Sequence, residues 1–259
     1  MLTDWQNLFS EWLDVVGFAL FLLAFPVYHS AYPWLMLLFP NRAAKVRLDE
    51  FRRSWIERLV RTRDLMAAAQ QTRNLAMVNS LLASSALILM GFTANVLLGM
   101  PQTLGLANDA GVSREGPGTD GLLMDWAAHP ESLQLKLLLL ILVFGVSFAY
   151  SMTALRHLGH FNLVVGADPE VIARREGSAV DYLSALINKA SNRATLAVRC
   201  LYSATPLFLW LFDVRLFVLV TVVWMVKFVA FQDFAHLRRS ARVASEPATP
   251  AAAAADETR

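Results

Sequence analysis

The chain has 259 residues, of which 56% are apolar and 17% charged, with a formal net charge of +2 and a mean hydropathy of +0.44. A soluble domain of this size carries about 25% charged residues spread through its elements. Here charge is gathered into blocks separated by long stretches without any, as expected of a chain for which a bilayer is one of the solvents. Near-neutrality excludes a global basic field for nucleic acid, and a lone cysteine, Cys200, excludes an internal disulfide and a cysteine-based metal framework.

The first apolar run, about residues 13–32, follows Asp4, Glu11 and Asp14 rather than a basic segment. No small-residue cleavage site closes it, so it reads as a retained transmembrane helix, kinked at Pro26. His29, Tyr32 and Trp34 fall at its interfacial end, where amphipathic rings are favoured. His29 has no partner in sequence and reads as an anchor, not a catalyst.

From Arg42 to Met90 there is neither glycine nor proline. This predicts one uninterrupted helix of about 70 Å, water-exposed over about 42–73 and membrane-embedded over about 75–98. In the water-exposed part Leu48, Phe51, Trp55, Leu59, Thr62, Met66 and Ala69 recur at three- and four-residue steps and predict one apolar face. Asp49 with Arg53, and Glu57 with Arg61, are i,i+4 pairs in the favourable orientation. Such a stripe is either covered by other segments of this chain or docks anionic lipid or a partner helix. Arg53, Trp55 and Arg58 are the docking candidates. In the membrane half, Asn79, Ser80, Ser84, Ser85, Thr93 and Asn95 permit close helix packing or line a polar pathway.

Residues 100–132 turn to Gly, Pro, Asp and Ser and predict an irregular loop; the GPGTDG piece within it is neither a Walker nor a Rossmann pattern. A third span follows over about 133–155, with Lys136 near its outer end and Ser147, Tyr150, Ser151 and Thr153 as a polar cluster towards its inner end. Arg156, His157 and His160 mark a cytoplasmic boundary. His157 and His160 share metal-ligand spacing, but no third ligand is identifiable, so no metal or other cofactor is expected. Asp168-Pro169 is an N-cap and first-position pair and opens a second cytoplasmic helix, about 169–193, the natural cover for the arginine-rich stripe.

The last two apolar runs, about 196–212 and 214–234, are separated by Asp213, and Pro206 is expected to break the first of them. Arg238, Arg239 and Arg242 follow and belong on the cytoplasmic side. Counting from an external N-terminus, five spans bring every arginine block inside and make Asp213 an external hairpin turn. Lys227 is an ionisable residue well inside a run, where it snorkels or serves a pathway. Residues 243–259 have too little bulk to pack and read as a disordered tail. The expected architecture is thus an all-α integral membrane bundle of about five transmembrane helices in the cell membrane, with a cytoplasmic C-terminus.

Four stretches, FRRSWIERLVRTRD, NSLLASSALILMGF, LKLLLLILVFGVSFAYSMTALRH with VVGADP, and VRCLYSATPLFLWLF, resemble in collinear order the domain-of-unknown-function 599 family of membrane proteins. The matching positions include Arg53, Trp55, Ala83, Ser84, Gly91, Lys136, Arg156, Gly166, Pro169, Arg199, Tyr202 and Trp210. The family's Phe-Phe-Ala-Ser-Thr-Thr core reads Leu81-Leu82-Ala83-Ser84-Ser85-Ala86 here, and its double glycine is reduced to Gly91. The resemblance implies the membrane fold and brings no catalytic residue. Two functions follow as expectations. One is a non-catalytic scaffold or accessory protein that binds a protein partner, a second copy or the bilayer. The other is a solute or ion pathway using Lys136, Arg199 and Lys227. An enzyme is not expected: His29, His157, His160 and His236 form no catalytic set.

Overall fold

The computed structural model describes Trp12 and residues 15–27, 44–109 and 130–227. His29, Tyr32, Trp34, His236, the terminal arginines, the end of the last apolar run and the expected tail lie outside the described residues.

Among the described residues the chain forms seven helices. The first, α1 (residues 15–27), is apolar, and its Leu23–Val27 stretch is wound as a π-helix around Pro26. Proline lacks an N–H and its ring crowds the carbonyl one turn back, which the wider turn relieves. Helices α2 (Ala44–Thr62) and α3 (Leu65–Asp109) come next. The single long helix expected from Arg42 to Met90 is therefore two. Arg63 adopts a left-handed φ of 51° and its N–H reaches Leu59 O at 2.8 Å, closing α2 as glycine usually does. The Asp64 carboxylate then accepts the Ala67 N–H at 3.0 Å and caps α3.

At its far end α3 runs on to Asp109, so residues 100–109 are helical rather than part of a loop. Helix α4 spans Pro130–Val164, carrying Arg156, His157 and His160 without interruption beyond the apolar run. Asp168 and Pro169 open α5 (Pro169–Glu176) as the sequence predicts, with the Asp168 carboxylate accepting the Glu170 N–H. The expected helix over 169–193 nevertheless breaks. Gly177 turns the chain at φ 82°, a conformation that glycine adopts without strain, and Ser178 caps α6 through the Asp181 N–H at 3.2 Å. Helix α6 (Ala179–Trp210) then passes straight through Pro206, which sits in its last turns and does not break it. Asp213 turns the chain and caps α7 (Val214–Lys227), its carbonyl taking the Phe217 N–H at 3.1 Å.

Helix α6 is the hub, packing on α4, α7, α2 and α5. The α4 residues Leu133, Leu137, Leu140, Phe144, Ser147, Ser151, Ala154, Leu158 and Phe161 are all buried. Their spacing alternates strictly between four and three, the knobs-into-holes rhythm of a left-handed coiled coil. On α3 the matching seam is Ala68, Thr72, Asn79, Ala83, Ala86 and Thr93; on α6 it includes Leu183, Leu186, Ala190, Ala197, Ala204 and Leu207. Alanine, serine and threonine at the contacts let the backbones approach closely. Ser147 Oγ donates to Ala197 O at 2.8 Å and fixes the antiparallel register of α4 on α6. Gly17 brings α1 against α7, where a Cβ would lie 2.9 Å from Val218 Cγ2.

Two cores result. One joins Phe21, Phe25, Leu140, Phe144, Leu207, Trp210 and Phe217 in the apolar half. The other joins Ile56, Leu59, Leu158, Phe161, Leu183 and Ile187 in the polar half.

Candidate functional site

The polar half is built by α2 lying against the start of α6. The apolar face expected there is shifted: Ile56 and Leu59 are buried, whereas Leu48, Phe51 and Met66 are exposed, Phe51 by 69%. The break at Arg63 resets the helical phase, so positions before and after it do not share a face. The expected Asp49–Arg53 pairing is also redirected. Asp49 pairs with Arg52 at 2.8 Å, and Arg53 reaches across to Asp181 at 2.7 Å. Arg52 further contacts Asn188 Oδ1 at 3.3 Å and Ser191 Oγ at 2.8 Å, making it the clamp between α2 and α6. Of the three docking candidates, Arg53 is thus ion-paired within the fold, Trp55 stacks on Phe161 at 6.4 Å, and Arg58 is exposed. The cover expected from residues 169–193 is supplied by α6 over one edge of the stripe only. Leu48, Phe51 and Arg58 remain uncovered among the described residues.

At the far end of α2, Arg63 Nη2 lies 3.2 Å from Asp168 Oδ1 and ties two turns together. A cavity of about 50 Å³ beside them, lined by Leu59, Val60, Val165, Ile172 and Leu183, has room for a water or two.

Lys136 stands apart from the other two pathway candidates. Lys136, near the start of α4, reaches Trp210 O at 3.4 Å and lies 4.9 Å from the Trp210 ring. Lys227, at the end of α7, sits 4.0 Å from the Trp224 ring and 5.6 Å from Tyr202, an aromatic cradle that favours its charge. Arg199 is buried on α6 one turn before Tyr202, at the depth of Lys227 and away from Lys136. The polar cluster of α4 is divided by its heptad position. Ser147 and Ser151 are buried in the seam, and Tyr150 and Thr153 flank it.

On that flank stand His157 and His160. Burial first, then Lys189, Arg193, His160 and Arg156, lower the pKa of His157, which lies beyond the apolar run that ends at Leu155. Among the described residues, no three His, Cys, Asp or Glu side chains come together in a group able to hold a metal ion.

The outward faces of the apolar half invert the usual order of a soluble protein. Ile88, Leu98, Leu142, Leu219 and many like them are exposed, Leu98 by 75%, while serine, threonine and asparagine are inside. Two helical stretches, Leu65–Gly99 and Ser132–Val164, are long and apolar enough to cross a membrane.

The family model described as "Protein of unknown function, DUF599" matches residues 16–237. The chain belongs to this family. No curated protein and no solved structure matches it. In this DUF599 chain the structural roles of Arg52, Lys189 and Arg193 were not drawn from the sequence. The signal for Arg52 was its place four residues before Ile56 on the buried face. For Lys189 and Arg193 it was their one-turn spacing along α6, opposite Tyr150 and His157.

Proposed function

We propose that this DUF599 protein is an integral membrane protein, embedded through its apolar half, that acts as a non-catalytic scaffold or accessory and docks a partner through its cytoplasmic helices. The embedding is supported by the exposed apolar surface around a small and polar interior, which water would penalise and lipid would not. Five crossings, with the arginine-rich ends inside, fit the antiparallel packing of α3, α4, α6 and α7.

The docking reading is carried by one observation: Leu48 and Phe51 stay exposed beside Arg58 although Ile56 and Leu59 of the same helix are buried. An uncovered aromatic flanked by arginine is the composition that dominates interface energetics. Purification from native membranes in mild detergent is expected to retain a stoichiometric partner, and Phe51→Ala with Arg58→Ala to lose it without lowering the melting temperature. Retention of the same partner by that variant would sink the docking face.

A second reading, a solute or ion pathway, is favoured by the buried polar groups of the seam. Thr72 against Asn162 at 2.6 Å, then Asn79, Ser151, Ser147 and Arg199, follow one another in helical register from the polar half inwards. Asn79 Oδ1 and Ser151 Oγ are buried without a hydrogen-bond partner, which costs free energy that a transient water or solute would recover. Flux into liposomes that Ser151→Ala reduces would support this reading; equal flux in the two proteins counts against it.

A further inference from the structure

We propose that the flank of α4 and α6 where the apolar half ends binds the phosphate of an anionic phospholipid, held by Arg156, His157, His160, Lys189 and Arg193. The inference rests on the membrane reading above and assigns this face a lipid, distinct from whatever docks on α2.

The register fixed by Ser147 and Ala197 brings these residues together. Arg193 lies 5.5 Å from the centre of the Tyr150 ring, so position 193 faces position 150. Lys189, one turn earlier on α6, then comes level with the turn of α4 that carries Arg156 and His157, and His160 follows on the same flank. Five basic side chains thus share about three helical turns, roughly 15 Å of bundle.

Among the described residues, Arg156, Lys189 and Arg193 form no ion pair, and the carboxylates of Asp49, Asp181 and Asp168 are held by Arg52, Arg53 and Arg63. Packed like charges repel, and an anion between them removes the cost. Guanidinium and ammonium groups are the side chains that best match phosphate oxygens.

The source of the phosphate follows from what adjoins the cluster. Val146 and Met152, on α4 just inside the apolar half, are exposed. Of these, Val146 shares its face with Leu142, also exposed, one turn earlier and with Tyr150, Thr153 and His157 further on. An acyl chain lying along Leu142 and Val146 places its headgroup at the cluster, and a basic flank beside an apolar surface is the general footprint of anionic lipid. Boundary cations that only set topology would show no headgroup preference.

The test uses the full-length protein in nanodiscs of phosphatidylcholine mixed with phosphatidylglycerol, reading the lipid retained after detergent extraction. Wild type is expected to retain phosphatidylglycerol in preference to phosphatidylcholine. Lys189→Gln, an exposed position that leaves the core intact, should lower that enrichment roughly fivefold, and Lys189→Gln with Arg193→Gln should lower it further. Arg174→Gln with Arg175→Gln, on α5, should leave it unchanged. Equal retention of the two lipids by wild type, or an equal loss in the α5 variant, overturns the site. Displacement of phosphatidylglycerol by inorganic phosphate alone would assign the cluster to a soluble anion and overturn the lipid assignment. A protein that resists alkaline washing of membranes but shows no lipid preference sinks this inference and leaves the membrane reading standing; one that washes off sinks both.

Discussion

Two adjacent arginines show how much a single residue's position decides. Arg53 stands in the best sequence pairing on α2 and among the family-like positions, yet its bridge to Asp181 is made by two mostly exposed side chains. Exposed ion pairs contribute under about 1 kcal/mol after solvent screening. Arg52 is half-buried, and its guanidinium serves Asp49, Asn188 and Ser191 together. Removing it leaves partners on α6 without their donor, at about 1–3 kcal/mol. Thermal unfolding in detergent should therefore give Arg52→Ala a clearly lower melting temperature than Arg53→Ala. Equal melting temperatures would mean that the α2–α6 contact rests on Ile56 and Leu59 alone.

At the scale of the element, the sequence was legible where one local signal acts on its own. Asp168-Pro169 reads as a helix start and is one, because cap and ring act on neighbouring backbone. The turn at Asp213 is legible for the same reason. The break at Arg63–Asp64 was not, because neither residue is a customary breaker. An arginine in the left-handed region costs about 1 kcal/mol, and that cost is met from afar, by the Asp168 contact and by the seating of Ile56 and Leu59 on α6. Gly177 lay in plain view, but the amphipathic pattern on either side of it argued for continuity. Pro206 misled in the opposite direction: it gives up its own N–H bond and crowds the carbonyl one turn back, but its fully buried ring is held by the packing of α6, and the helix continues through it. The seam of α4 could have been read as a strict heptad; it was hidden by leucines at the intervening positions, which face outward. In a chain whose outside is as apolar as its inside, hydrophobicity alone does not mark the buried face, and the small and polar residues mark it better.

For the whole molecule, the antiparallel order of α3, α4, α6 and α7 places Arg52, Arg63, Arg156, Lys189 and Arg193 at one end and Lys136, Asp213 and Arg215 at the other. On the proposed membrane reading, α1 decides between four and five crossings. Its apolar stretch Val15–Pro26 is about 18 Å long, short of the roughly 30 Å hydrocarbon thickness. If residues up to 32 complete the span, the N-terminus is external and there are five crossings; if α1 only enters and returns, there are four and the N-terminus is cytoplasmic. Labelling of intact cells with a membrane-impermeant maleimide, in a Cys200→Ser background, separates these. Phe212→Cys, at the α6–α7 turn, should label from outside, and Glu176→Cys, at the end of α5, only after permeabilisation. An N-terminal Thr3→Cys labelled alongside Phe212→Cys gives five crossings; labelled alongside Glu176→Cys, it gives four. Labelling of Glu176→Cys from outside would invert the molecule. It would also move the basic flank of α4 and α6 away from the cytoplasmic leaflet, where anionic lipid is concentrated, so this one experiment bears on orientation and lipid binding together.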